Sequence, residues 1–352
     1  MSTAAASLRR GRPSRMTPAV VLVGLGLLLL VTAVIALFSG AMSLSPAQVA
    51  TALLALLSQR EIADPALAVV TVIRLPRLLL AMLVGAVLAV SGAAMQGLFR
   101  NPLADPGLIG VSSGAALGAV AVIVLGGWLP MLAGPLALPL AAALGGLAAT
   151  VVVYRLGKGG CGTDVATLLL AGIAVNAIAG AGTGLLTYFA DNSALRTLTF
   201  WLMGSLAGAG WPQFALAAPF MLLCGGGLCL LGRPLNAFLL GEDVAHHVGY
   251  PIERIKAVTV LLCAVAVGAS VSVTGIIGFV GLVVPHVLRL ATGADHRLLL
   301  PASALLGAAV LVAADTAARS LVSPAELPIG ILTTLLGGPF FLFLLLRHRG
   351  RR

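Results

Sequence analysis

Runs of Leu, Ala, Val, Ile and Gly about twenty residues long recur along this chain, separated by short stretches where charged residues and prolines collect. A helix of that length and polarity spans the hydrocarbon core of a bilayer, so the pattern predicts membrane spans. The spacing places ten of them, near 18–39, 76–98, 107–127, 132–154, 165–188, 212–232, 255–273, 275–290, 298–318 and 328–346. The polar positions between them predict shorter pieces. These are surface helices over 42–71, a structured loop over 100–110 that ends in a helix start, and a half-helix after Asp191. Two further short helices fall within 236–254, punctuated by Gly241, Gly249 and Pro251. Residues 91–98 (SGAAMQGL) and 274–282 (TGIIGFVGL) echo one another, a hint of an internal duplication.

Composition agrees with this reading. Hydrophobic residues make up 60% of the 352, charged residues 9%, and the mean hydropathy is +1.11. Ten spans with their connections use nearly the whole length, which leaves no room for a large soluble domain. The expected fold is therefore an all-α polytopic membrane protein with about ten transmembrane helices. Its single domain covers 18–346, after a basic segment 1–17 and before a basic tail 347–352. The apolar run from Val20 to Phe38 is too long for a signal-peptide core and is read as the first retained span. The formal charge of +10 could suggest a nucleic-acid partner. With both termini cytoplasmic, however, 16 of the 21 basic residues fall on the inner side, so the charge records topology and no nucleic-acid partner is expected. The four cysteines, Cys161, Cys224, Cys229 and Cys263, form no C-x-x-C or zinc spacing, and no metal site is expected.

The few polar residues narrow the chemistry. Asp315 is the one acid inside a predicted span, four residues before Arg319, and this spacing predicts a local ion pair. A proton-coupled carrier would need a free titratable group at such depth and is disfavoured. No G-x-x-x-x-G-K-[ST] loop occurs, so an ATP-driven process would need its ATPase on another chain. Adjacent His246 and His247 read as a contact surface. Gly114 and Gly118 read as close helix packing. In the fifth span, small residues combine with Asn176, Gly180, Thr183, Gly184 and Thr187, a wall suited to a wide, weakly binding passage. Arg74 and Arg77, fixed around Pro76, sit on the outer side with Arg319 against the charge trend. They are either helix-end anchors or a basic patch for the carboxylates of a docking protein.

Several of these segments together resemble the FecCD-type permeases of type II ABC importers, which serve haem, ferric siderophores and vitamin B12. The resemblance runs from about Leu75 to Leu346 and rests on RLPR at 74–77, SGAAMQGLFRNPLADPGLIG at 91–110, FWLMGSLAGAGW at 200–211, GIIGFVGLVVPHVLRL at 275–290, DHRLLLP at 295–301 and ELPIGILTTLLGGPFF at 326–341. It implies that Arg74, Arg77 and Arg319 pair with glutamates of a periplasmic binding protein. It also implies that Gly241, Glu242, His246, His247, Gly249, Glu253 and Arg254 belong to a coupling segment seated on the ATPase. Asn101 and Leu103 match an inner gate, and Val165 and Ala166 stand at a second gate where the family often has Ser and Thr. The implied assembly holds two copies of the chain around one pathway, two ATP-binding subunits inside and one binding protein outside, in the bacterial inner membrane. ATP and Mg belong to the partner ATPase, and this chain is expected to carry no cofactor and no catalytic residue. The run LRTLTFWLMGSL is most similar to haem permeases, with siderophore and vitamin B12 permeases as alternatives. A stand-alone secondary carrier and a purely structural membrane subunit are the competing classes.

Overall fold

The structure is a computed structural model that describes residues 17–40, 42, 44–58, 64–129, 134–159, 162–322 and 325–349. Arg9, Arg10, Arg12, Arg15, Arg60, Cys161, Arg351 and Arg352 of the charge and cysteine arguments lie outside the described residues. The chain begins with α1 (Pro18–Phe38), α2 (Pro46–Leu57) and α3 (Pro65–Ala68). A π-helical stretch (Val69–Arg74) then runs directly into α4 (Leu75–Leu98). A 3-10 turn (Pro106–Ile109) leads into α5 (Val111–Leu125), followed by α6 (Ala137–Gly157). The two-residue strands β1 (Lys158–Gly159) and β2 (Gly162–Thr163) pair antiparallel in front of α7 (Val165–Tyr188). The remainder is α8 (Asn192–Leu202), α9 (Trp211–Leu230), α10 (Gly232–Leu239), α11 (Glu242–His247), α12 (Ile252–Thr274), α13 (Val280–Thr292), α14 (His296–Leu321) and α15 (Ile329–Arg349).

Each of the ten expected spans contains a helix. Among the described residues, 7 helical segments are long and apolar enough to cross a membrane: α1, 69–98, α6, α7, α9, α12 and α14. The eighth expected span is shorter than its hydropathy suggested. Residues 275–279 are not helical, because Gly275 and Phe279 both take φ of 67°, outside the right-handed helix. The 13 residues of α13 then cover only about 20 Å at 1.5 Å each, against a hydrocarbon core of roughly 30 Å. Similarly, Gly110 at φ 86° separates the 3-10 turn from α5, so the third span starts later than its apolar run.

Side-chain oxygens of acids cap several helix starts and satisfy N–H groups that no helix can pair internally. Asp164 accepts from the Thr167 N–H at 2.8 Å, Asp191 from Ala194 at 2.7 Å, Asp295 from Arg297 at 2.9 Å and Asp105 from Gly107 at 2.8 Å. Thr167 also donates its hydroxyl to Asp164, and these bonds hold that carboxyl below its usual pKa, which keeps the cap ionised.

In lipid, helices associate through close van der Waals contact, which favours small residues at crossings. The central helix is α4, nearly all of whose residues from Pro76 to Leu98 are buried. It crosses α14 where a methyl added at Gly85 would overlap the Gly307 carbonyl, and the reverse substitution would meet Gly85 in the same way. Gly92 meets the Gly281 carbonyl of α13, so the two segments that echo in sequence pack on each other. Helices α5 and α6 meet through Gly114 against Gly145 and Gly118 against Ala141, the close packing expected of that pair.

Candidate functional site

Three regions carry the residues singled out by sequence: one rim of the bundle, the opposite rim, and the wall of α7 between them.

At the first rim the three arginines are buried in the chain's own contacts. Arg77 is 6% exposed and donates Nε and Nη2 to Asp315, at 2.9 Å for the closer pair, and Nη1 to Glu326 at 3.0 Å. Arg319 reaches the same Asp315 at 3.1 Å, which is the i,i+4 pair expected from the spacing. Its other nitrogens reach the carbonyls of Ser39 and Ala36 at the end of α1. Arg74 is 5% exposed and donates to the carbonyls of Leu37, Phe38 and Met42. A buried charge needs partners, and these arginines find them in α14, in the segment before α15 and at the end of α1. They tie the ends of α1, α4 and α14 together at this rim. Glu326 is the accessible member, with its side chain 37% exposed. Its place on Arg77, 249 residues away in sequence, left no signal in local spacing.

At the opposite rim, α11 projects between Gly241 (φ 110°) and Gly249 (φ 94°), two backbone positions that favour glycine. Asp243, Val244, His246, His247, Val248 and Arg254 are exposed there, which is the arrangement of a contact surface. Glu242 and Glu253 of the same segment, both partly exposed, are bonded to the buried Lys256 instead. Lys256 is 2% exposed, and its Nζ donates to Glu242 Oε2 at 2.7 Å, Glu253 Oε1 at 3.3 Å and the Thr163 carbonyl at 2.6 Å. Glu253 in turn accepts from the Thr163 hydroxyl at 2.5 Å. Sequence reasoning assigned Lys256 no role. Its i,i+3 spacing from Glu253 was a usable signal, whereas Thr163 lies 93 residues away. On the same rim Asn236 joins α10 to α14, donating to Asp295 at 2.6 Å and accepting from the His296 N–H at 2.8 Å.

Of the expected gate residues, Asn101 and Leu103 sit on the loop after α4, and Val165 and Ala166 on the first turn of α7. Asn101 accepts from the Leu103 N–H at 2.9 Å, a turn that leaves the Leu103 side chain half exposed. Val165 and Ala166 open α7, the first partly buried and the second exposed.

Apart from α1, α7 is the least buried of the long spans. Its contact side is held by Gly172 against the Leu108 carbonyl and Gly182 against Leu117. Asn176 faces that side as well, bonded to Ser113 and, at 3.2 Å, to the Gly107 carbonyl. Thr187 donates to the Thr183 carbonyl at 2.7 Å. The other side is open: Ala174, Ala177, Ala181 and Gly184 are exposed beside the large apolar Ile173, Ile178 and Leu185, and a methyl placed on Gly180 or Gly184 would have nothing within 4 Å. The exposed side of α1 is mostly Val and Leu, with Gly24 and Ile35 among them, and carries no such run of alanines.

This architecture has close counterparts. Residues 27–347 match the FecCD transport family. The chain is 51% identical over 284 residues to the hemin transport system permease protein HmuU of Yersinia pestis, covering 80% of this chain and 84% of that one. It is 43% identical over 336 residues to the vitamin B12 import system permease protein BtuC of Klebsiella pneumoniae, covering 94% of each. A solved structure of a metal-chelate type ABC transporter in an inward-facing conformation superposes with a TM-score of 0.81 at 36% identity, over 94% of this chain and all of that one. With one bundle, two rims and no ATPase motif of its own, the chain belongs to the FecCD transport family, the membrane permeases of ABC importers for metal chelates.

Proposed function

We propose that this permease passes haem from a periplasmic binding protein to the cytoplasm, and that two copies form the passage. The similarity to a hemin permease, at 51% identity against 43–46% for vitamin B12 permeases, carries the choice of cargo. The open side of α7 supports the pairing, since a single chain leaves this face of alanines, glycines and large apolar residues uncovered and a second copy across a two-fold axis would enclose it. Gly180, Thr183, Gly184 and Thr187 then lie along the passage, while Asn176 fixes α7 to α5. Asn101, Leu103, Val165 and Ala166 form its cytoplasmic gates, the latter pair closing by apolar contact. The segment 236–254 is cytoplasmic and α11 seats on the ATPase through Val244, His246, His247 and Val248, with Asp243 left at the edge of the contact. Both termini are cytoplasmic in the bacterial inner membrane, with 1–17 and 347–352 as basic flanks. The binding protein docks over Arg74, Arg77 and Arg319, whose fixed guanidiniums shape the rim. Its carboxylates would compete with Glu326 for Arg77.

Uptake into proteoliposomes holding the permease, its ATPase and its binding protein tests the cargo. Haem enters and cobalamin and a ferric siderophore do not. Cobalamin uptake without haem uptake would assign the chain to the vitamin B12 branch instead.

A further inference from the structure

We propose that Lys256 is a positioning residue that carries movement of α11 to the start of α7. The inference rests on the coupling reading of α11 given above.

The chain leaves α11 through residues 248–251 and enters α12, so its covalent path does not lead to α7. Among the described side-chain bonds, those of Lys256 join the two regions. Its ammonium has three protons, and the three acceptors come from three places: Glu242 on α11, Glu253 on α12 and the Thr163 carbonyl on β2. Thr163 lies two residues before Val165 and next to Asp164, whose carboxylate caps α7 through Thr167. A shift of Thr163 therefore shifts the first turn of α7, where Val165 and Ala166 stand. The contact is tight on the strand side too. Gly162 (φ 112°) faces the Glu253 carboxylate, so β2 packs directly against the acid.

Burial makes this link stiff. With Lys256 2% exposed, loss of any acceptor would leave a buried charge short of a partner, and that cost opposes separation of the three elements. A lysine suits the site because its three protons point in different directions, toward acceptors on separate elements. The longer guanidinium of arginine holds its donors in one plane and would not reproduce this compact arrangement. Glu242 and Glu253 are in this view the inward half of the coupling segment, while the exposed histidines and valines form the outward half.

The test uses the full importer complex in nanodiscs, with all native cysteines replaced and one cysteine introduced at a time, Asp243→Cys on α11 or Lys158→Cys on β1. Both positions are exposed. The reaction rate with a soluble maleimide is read with and without nucleotide. Nucleotide is expected to change both rates when Lys256 is present. In Lys256→Met the Asp243→Cys response persists, the Lys158→Cys response is lost, and cargo imported per ATP hydrolysed falls about tenfold. Lys256→Arg restores only part of that ratio. Glu242→Gln, which keeps Lys256 and its other two acceptors, weakens the Lys158→Cys response and decides the matter should Lys256→Met fail to fold. A full Lys158→Cys response in either variant overturns the link. If Asp243→Cys ignores nucleotide even with Lys256 present, the coupling reading of α11 itself fails, and the role of Lys256 falls with it.

Discussion

Arg77 illustrates what a single residue does in this protein and how far sequence exposes it. Its position before a span, beside Pro76, marked it as unusual, but its partners Asp315 and Glu326 lie 238 and 249 residues away. Only the Asp315–Arg319 pair, four residues apart, was legible from spacing. Burial changes what a substitution reports. Arg77→Gln leaves Asp315 and Glu326 short of their shared cation, and breaking a buried pair costs about 3–5 kcal/mol. The thermal midpoint of the purified permease in detergent should fall sharply, while Arg196→Gln, on an exposed site of α8, moves it little. Equal midpoints would mean that the arginine is free rather than held. Docking of a binding protein is better probed with Glu326→Gln, which leaves Arg77 paired to Asp315. Glycines allow a second comparison of the same kind. Gly85→Ala drives a methyl into the Gly307 carbonyl and should cost about 1–3 kcal/mol in the same melt, whereas Gly180→Ala enters open space. A Gly85→Ala midpoint no lower than that of Gly180→Ala would show that α4 and α14 are not packed this closely.

At the scale of elements, hydropathy located every long helix but could not see where helices break inside apolar sequence. Residues 275–290 read as one span because Ile276, Ile277 and Phe279 are as apolar as the helix that follows. The break comes from backbone angles at Gly275 and Phe279, which hydropathy does not encode. The unwound stretch is accommodated by its neighbours: the Ser205 N–H donates to the Thr274 carbonyl at 2.7 Å, and Gly204 and Gly330 lie against the Ile276 carbonyl. Irregular backbone at membrane depth persists only where protein or a water-filled cavity surrounds it, so these glycines are part of what holds α8, α13 and α15 in place. The two sparsely covered helices, α1 and α7, both expose large aliphatic residues, and α7 differs in the alanines and glycines set among them. If α7 lines a passage, Ala181→Cys in a cysteine-free background should react with a water-soluble maleimide. Val31→Cys, on the exposed side of α1, should stay protected by lipid. Equal protection of both would place α7 against lipid and remove the wall.

For the whole molecule, the acids decide what drives transport. A carrier working alone needs a group at membrane depth that can gain and lose an ion during the cycle. Among the described residues Asp315 is the one acid inside an expected span, near its end, and it lies between Arg77 and Arg319, so its charge is matched on both sides and already serves to join helices. Four other acids cap helices or turns: Asp105, Asp164, Asp191 and Asp295. Glu242 and Glu253 hold Lys256, and Glu326 holds Arg77. With these carboxylates engaged in structure, the energy for uphill movement has to enter from a partner, and the family assigns that partner as an ATPase. Vesicles that contain only this permease, given an inward proton gradient, should therefore not accumulate haem above the external concentration. Adding the ATPase with Mg-ATP on the cytoplasmic side and the loaded binding protein on the other should start accumulation, and omitting either should stop it. Uphill uptake driven by the gradient alone would require an ion-binding group outside this set of carboxylates, and would return the chain to the class of self-sufficient carriers.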